Sequence, residues 1–268
     1  MKLSKETIRQ KLSSKVGFIL DMDGTIYLGK TLFPFTLRFL EELKKKGKKY
    51  IFLTNNSSKR AEQYQEKLRQ MGIEVDLTKI YTSGDATIDY LKRLNKGKSL
   101  YVMGTPDLIH QFEEAGFETD SPDPDFVVLG FDLTFTYQKL DKACRFIRNS
   151  VPFIASHPDF NCPLENGDML PDCGALSAAI TAATGVRPTV IGKPQKEILN
   201  GILRRLNLPK EKICMIGDRL MTDIQMGLNF GITSILVLTG ETTTELLAKS
   251  RIKPDLVFKR VVDILEYI

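Results

Sequence analysis

The chain reads as an α/β protein in which a parallel sheet flanked by helices is interrupted by a smaller inserted α/β domain. Three observations predict this. Short apolar runs rich in Val, Ile and Phe alternate with helix-period segments, the mark of βα units whose strands are buried on both faces. The alternation occurs as two series, one nested inside the other. The chain has 268 residues, more than one average domain and fewer than three.

In the outer series, Gly17 to Leu20 is the first strand. A helix from about Phe35 to Lys46 stops at Gly47, a residue suited to the left-handed position after a helix end. Tyr50 to Leu53 follows as a strand, then a helix from about Lys59 to Met71 that stops at Gly72, then a short strand, Ile80 to Thr82. Ile213 to Ile216 and Ile235 to Leu238 are two more buried strands, with Leu256 to Phe258 as an edge strand. The inner series runs Leu100 to Met103, a helix from about Pro106 to Ala115, Phe126 to Leu129, a helix from about Tyr137 to Arg148, and Phe153 to Ala155. A helix from about Gly174 to Thr184 closes it. The Pro- and Asp-rich loop Ser121 to Asp125 is a turn within this series. Seams near Gly84 and Pro188 therefore divide a discontinuous outer domain, 1–83 and 188–268, from an inserted one, 84–187.

Composition removes several classes. Hydrophobic residues at 42% and charged residues at 26% are ordinary globular usage and argue against disorder. The net charge of +5 is spread along the chain; its densest run, Lys44 to Lys49 around Gly47, follows Glu41 and Glu42 on a helix. That pattern is a solvated helix end with cations at the negative pole of the dipole, so no nucleic-acid partner is expected. Cys144, Cys162, Cys173 and Cys214 form no C-x-x-C pair, and with only His110 and His157 present no zinc-ligand spacing occurs. Met1 to Val16 is charged and lacks an apolar signal core. No segment approaches the ~20 apolar residues that span a bilayer. A cytoplasmic protein with reduced thiols and no membrane partner is the expectation.

The chemistry gathers at strand ends. Phe18-Ile19-Leu20 leads straight into Asp21-Met22-Asp23-Gly24-Thr25, and parallel sheets bind ligands at the carboxyl ends of their strands. Strand alternation would aim Asp21 and Asp23 into one crevice. Two such acids repel, and a hard cation such as Mg2+ offsets that cost, because it accepts one or two carboxylates together with water and substrate phosphate. A plain turn is the competing reading, since Asp and Gly both favour turns. Three more segments weigh against it. Ile51-Phe52-Leu53 delivers Thr54-Asn55-Asn56-Ser57, hydroxyl and amide donors suited to phosphate oxygens. Val190-Ile191 leads into Gly192-Lys193-Pro194, which places a lone cation in a tight loop. Ile216-Gly217 ends in Asp218, with Asp223 five residues on. Singly, each could be an ordinary turn, and Asp223 could be a first-turn acid matched to a helix dipole.

Jointly, D-x-D-G-T, T-N-N, G-K-P and G-D-x-x-x-x-D, in that order from Asp21 to Asp223, resemble the four motifs of the haloacid dehalogenase superfamily of phosphatases. The resemblance implies a Rossmann-like core and a set of roles. Asp21 would be the nucleophile that carries the phosphoryl group, and Asp23 the general acid and then the base. Thr54 and the amide of Asn55 would hold the phosphoryl oxygens, with Gly24, Asn56 and Ser57 also at the substrate. Lys193 would offset charge. Mg2+ would be held by Asp21, the backbone carbonyl of Asp23 and Asp218, with Asp223 orienting its water shell or Lys193.

Only 28 residues separate Thr25 from Thr54, against 138 between Thr54 and Lys193. The insertion is therefore a C2-type cap, as in the subclass containing the nucleotide and p-nitrophenyl phosphatases of the NagD type. Ser156-His157-Pro158-Asp159 and Leu170-Pro171-Asp172-Cys173-Gly174 resemble that subclass's cap loops, with Cys173 where small residues are usual. His157 reads as a substrate contact or as a loop histidine bonded to backbone. The implied partner is a small phosphate ester; oligomeric state is not legible, and a homo-oligomer through cap edges is compatible with the sequence. A phospho-acceptor module of the receiver type would have little use for Asp23. A phosphotransferase would need a second phosphate site, for which the cap supplies no obvious Arg or Lys cluster. A dinucleotide binder would need a G-x-G-x-x-G after a strand, and none is present.

Overall fold

The computed structural model describes residues 4–164 and 167–268. Residues 1–3, part of the charged stretch read as lacking a signal core, lie outside them, as do residues 165 and 166. Packing groups the chain into two compact units. One comprises the described part of Met1–Leu53 together with Gln65–Tyr81 and Leu199–Ile268; the other comprises Thr54–Tyr64 and Thr82–Ile198.

The first unit is built on a six-stranded sheet in the order Leu256–Phe258, Thr233–Val237, Ile213–Gly217, Gly17–Asp21, Lys49–Thr54, Ile80–Thr82. The pairings from Leu256–Phe258 across to Lys49–Thr54 are all parallel. All five residues of Gly17–Asp21 and of Ile213–Gly217 are buried, as a strand covered on both faces requires. Chain order reverses direction between these two central strands, so their carboxyl ends flank the switch point at which such sheets open a crevice. In register, Leu20 pairs with Ile216, and Asp21 pairs with Leu53 on the other side.

Helix Thr36–Lys45 turns Thr36, Phe39, Leu40 and Leu43 inward, the i, i+3, i+4, i+7 spacing of an apolar stripe. The lysines that follow are engaged locally. Lys45 pairs with Glu42 at 2.8 Å. Lys46, Lys48 and Lys49 donate to the carbonyls of Ile268, Lys15 and Leu206. The cationic run is thus largely spent on the unit itself.

The second unit carries a four-stranded parallel sheet in the order Thr189–Val190, Phe153–Ala155, Phe126–Leu129, Leu100–Met103. Helices Tyr137–Arg148 and Cys173–Thr184 contribute Ala143, Cys144, Ile147, Cys173 and Ile180 to a core with Tyr101, Met103, Val127, Leu129, Phe153 and Ala155. Helix Pro106–Glu114 is opened by the Thr105 side chain, which accepts the Leu108 N–H, and by proline in its first turn, both favoured there. A short antiparallel hairpin, Asn161–Pro163 with Met169–Pro171, stands apart from the sheet.

Among the described residues, helices Lys5–Ser13, Ser83–Leu94, Lys196–Leu206, Gln225–Phe230 and Thr244–Lys249 escape the sequence reading. Lys5–Ser13 buries only Leu12, too little to leave a periodic signal. Ser83–Leu94 opens on Ser-Gly-Asp, a turn-like composition, yet Thr82 and Asp85 form a reciprocal capping box across its first turn. No helix among the described residues is long and apolar enough to cross a membrane.

Candidate active site

Each compact unit presents a polar cluster. In the first unit, strand Gly17–Asp21 delivers Asp21 at its last position, and Asp218 follows directly on strand Ile213–Gly217. Asp223 lies in the turn of π-helix Leu220–Ile224, a wound geometry that recurs at functional sites. One carboxylate oxygen from each of Asp21, Asp218 and Asp223 lies within 4.8 Å of the other two, and all three residues are buried. Asp218 Oδ2 accepts the Glu241 N–H at 2.6 Å, and Asp223 Oδ2 accepts the Arg219 N–H at 3.1 Å. Asp218 Oδ1 is buried with no hydrogen-bond partner among the described residues. Burial first, then repulsion from Asp21 and Asp223, pushes the Asp218 carboxyl well above the ordinary carboxylate range.

Three close buried acids with an unsatisfied oxygen cost free energy unless a cation joins them. An all-oxygen donor set of this charge suits a hard ion of the Mg2+ type. The residues present therefore fit the metal that the four motifs imply.

Glycines make room for this cluster. Gly24 takes φ +80°, and a side chain there, or at Gly240, would meet Asp218. Thr239 Oγ1 donates to the Gly24 carbonyl at 2.5 Å, and Arg219 Nε pairs with Glu241 Oε2 at 3.1 Å, which ties the two loops around Asp218. Gly240→Ala is expected to push Asp218 aside and weaken Mg2+ binding by about tenfold or more. A magnesium titration of the thermal melting shift reads this directly, and an unchanged midpoint would remove Gly240 from the account.

Asp23 lies two residues past the last residue of strand Gly17–Asp21. The strand ends at Asp21, so its alternation does not extend two residues further. The carboxylates gathered with Asp21 are those of Asp218 and Asp223, and that of Asp23 stands outside this cluster. Asp23 is exposed, and its Oδ1 accepts the Gly29 N–H at 3.4 Å.

The second unit brings together Thr54-Asn55-Asn56-Ser57, the Lys193 loop and the Ser156–Asp159 loop. Asn55 Oδ1 accepts the Lys193 N–H at 2.8 Å, and Asn55 Nδ2 donates to the Lys193 carbonyl at 3.0 Å. The Ser83 hydroxyl donates to the Asn55 carbonyl. Thr54 Oγ1 accepts the Asn56 N–H, and Asn56 Oδ1 accepts both the N–H and the hydroxyl of Ser58. Lys193 itself is buried.

Two expected substrate contacts do not lie at the surface. Ser57 and His157 are both 0% exposed. The Ser57 hydroxyl accepts the Phe131 N–H and shares a hydrogen bond with Ser156. His157 lies between Asp159 and Asp172. A sequence displays a donor but not the internal partner that consumes it. Cys173 is accommodated as a small core residue: its Sγ donates to the Leu129 carbonyl at 3.5 Å, and burial pushes its thiol up to about 12. All four cysteines are free.

The chain matches known proteins in sequence and fold. Residues 18–118 match the family described as haloacid dehalogenase-like hydrolase, and residues 190–264 match a second, related hydrolase-like family. The acid sugar phosphatase of Staphylococcus aureus is 37% identical over 243 residues, covering 90% of this chain and 93% of that one. The crystal structure of the 4-nitrophenylphosphatase from Thermotoga maritima superposes with a TM-score of 0.92 at 47% identity, covering 96% of this chain and 98% of that one. NagD from Escherichia coli K-12 superposes with a TM-score of 0.86 at 31% identity, covering 93% and 98%.

Proposed function

Because the chain belongs to the haloacid dehalogenase-like hydrolases of the NagD type and is a phosphatase, we propose that it hydrolyses small phosphomonoesters with Mg2+ through a phosphoryl group carried on Asp21. The observation that carries this reading is the buried trio Asp21, Asp218 and Asp223 beyond the ends of two adjacent central strands. Asp21, Asp218 and the backbone carbonyl of Asp23 would hold the metal, with Asp223 orienting what surrounds it. When bound, Mg2+ neutralises charge on the transferring phosphoryl group.

In the first step an Asp21 oxygen forms a bond to phosphorus while the bond to the leaving alcohol oxygen breaks. Asp23 gives that oxygen its proton. In the second step Asp23 takes a proton from water, the water oxygen bonds to phosphorus, and the Asp21–phosphorus bond breaks to release phosphate. The exposed position of Asp23 supports this part, since an acid that meets alcohol and then water must reach both. Thr54 and the Asn55 amide hold phosphoryl oxygens and Lys193 offsets their charge, the positioning and electrostatic work on which phosphoryl transfer depends. Gly24 and Asn56 complete the substrate side. Residues 84–187 act as a cap whose closure excludes water during the first step. A cytoplasmic location and a homo-oligomeric state compatible with cap pairing belong to the same proposal.

Sugar phosphates and p-nitrophenyl phosphate are the first substrates to test, given what the Staphylococcus and Thermotoga relatives are called. Phosphate release is measured over sugar phosphates, nucleotides and glycerol phosphate with Mg2+ and with chelator. Hydrolysis of at least one, abolished by chelation, is expected. With an activated ester, Asp23→Asn should accumulate phosphoprotein visible by intact mass. Wild-type turnover in that variant would remove Asp23 from both proton transfers.

A further inference from the structure

The second unit contains an acid–histidine–acid arrangement that the proposed chemistry does not use. His157 Nδ1 lies 3.6 Å from Asp159 Oδ2 and Nε2 lies 3.5 Å from Asp172 Oδ1, with the imidazole 0% exposed. Asp159 and Asp172 are themselves nearly buried, with side chains 11% and 5% exposed. The two contacts are ion pairs when the ring is protonated. Close buried acids repel, so a group interposed between them fixes their separation as well as their charge balance.

Asp159 faces onward. Both of its carboxylate oxygens accept from Asn55 Nδ2 at 3.2 Å. Asn55 in turn holds the Lys193 backbone from both sides, through the N–H and the carbonyl. Gly192 permits that approach: a Cβ there would stand 2.7 Å from Asn55 Oδ1 and 2.8 Å from His157 Cβ. Asp172 anchors the other end, where its Oδ1 accepts the Cys173 N–H that opens helix Cys173–Thr184. The Gly174 N–H donates to the Asp159 carbonyl at 2.8 Å, closing the loop.

We infer that His157 is a positioning residue: clamped between Asp159 and Asp172, it sets Asp159, which sets the Asn55 amide, which sets the Lys193 loop. The inference rests on the proposed phosphatase reading only for its kinetic consequence. With its side chain 0% exposed, His157 is placed for an internal role, the alternative to substrate contact that its sequence setting left open. A histidine that merely filled core space would not need an acid at each nitrogen, one of them gripping Asn55.

The test compares wild type with His157→Ala, with the isosteric Asp159→Asn, and with His110→Ala as a control. His110 is an exposed helix residue beside Glu113 and Glu114. Amide hydrogen exchange at the Lys193 N–H reports the clamp, and the Ile191 N–H, bonded to the Ala155 carbonyl at 3.1 Å, is the internal reference. In both clamp variants Lys193 exchange should rise by roughly tenfold or more while Ile191 stays protected. The kcat for p-nitrophenyl phosphate with Mg2+ should fall about 100-fold, with KM held within about twofold. In a Lys193→Met background the His157 substitution should cost almost nothing more, because both act through one group.

Unchanged Lys193 exchange in the clamp variants overturns the inference. So does a rise in KM at constant kcat, or full additivity with Lys193→Met. If His157→Ala fails to fold, Asp159→Asn decides alone by the same readings. If wild type releases phosphate from no ester, the phosphatase reading falls, and the Lys193 exchange comparison still decides the clamp.

Discussion

Asp21→Asn is expected to lower Mg2+-dependent turnover of p-nitrophenyl phosphate by ~10^4-fold or more, because an amide cannot displace the leaving group and the covalent route closes. The loss should fall on kcat, and no phosphoprotein should form with an activated ester. The fold should survive. Asp21 is buried beside Asp218 and Asp223, and a neutral amide there relieves repulsion within the trio, so metal-free melting temperature should hold or rise. Thermal melting and burst-phase kinetics on the same preparation separate the two effects. Turnover within tenfold of wild type would remove Asp21 as the nucleophile.

Asp218→Asn should move stability and activity in opposite directions. Activity should fall by roughly 10^2–10^3-fold through the lost charge on the metal side. Metal-free stability near pH 7 should increase by about 2 kcal/mol, the gain typical of relieving a site strained for function. The side chain is 2% exposed, so solvent screens little of this effect. The asparagine oxygen can still accept the Glu241 N–H, and its NH2 replaces a carboxylate oxygen among acids.

The pH dependence follows from the sign of the shift. The folded-state pKa of Asp218 is raised by burial and by its acidic neighbours. Its contribution to stability is therefore complete below the ordinary unfolded value, about 3.9, and is lost as pH rises through the raised folded value. Wild type and Asp218→Asn without metal should melt together in acid and separate toward neutral pH. Added Mg2+ should recover stability for wild type near neutral pH and do little for the variant. A melting difference that is flat across that range would show that Asp218 does not carry the strain.

Legibility varied with how each element is stabilised. Strands such as Phe126–Leu129 and Phe153–Ala155 were readable to the residue because burial on both faces demands uninterrupted apolar side chains. Helix Tyr137–Arg148 was equally clear from its apolar stripe. Ser83–Leu94 was not, since its start depends on a reciprocal cap that looks like turn chemistry in the sequence. At the site, Asp21 and Asp218 were legible as acids at the ends of apolar strands. Asp223 was legible there too, but against a competing reading as a helix-dipole acid, because its approach to the other two depends on how a π-turn winds.

By itself, the sequence determined the α/β class, the strand ends that bear acids, amides and a lysine, and through their order the hydrolase family. Those properties are local: each needs only an apolar run and the few residues beyond it. Tertiary structure alone decided which polar groups are spent within the protein. Ser57 and His157 carry the same donors as a substrate contact would, yet both are buried against partners as distant in sequence as Ser156 from Ser57. Hydrogen bonding and charge pairing depend on distance in space, and no reading along the chain supplies that distance.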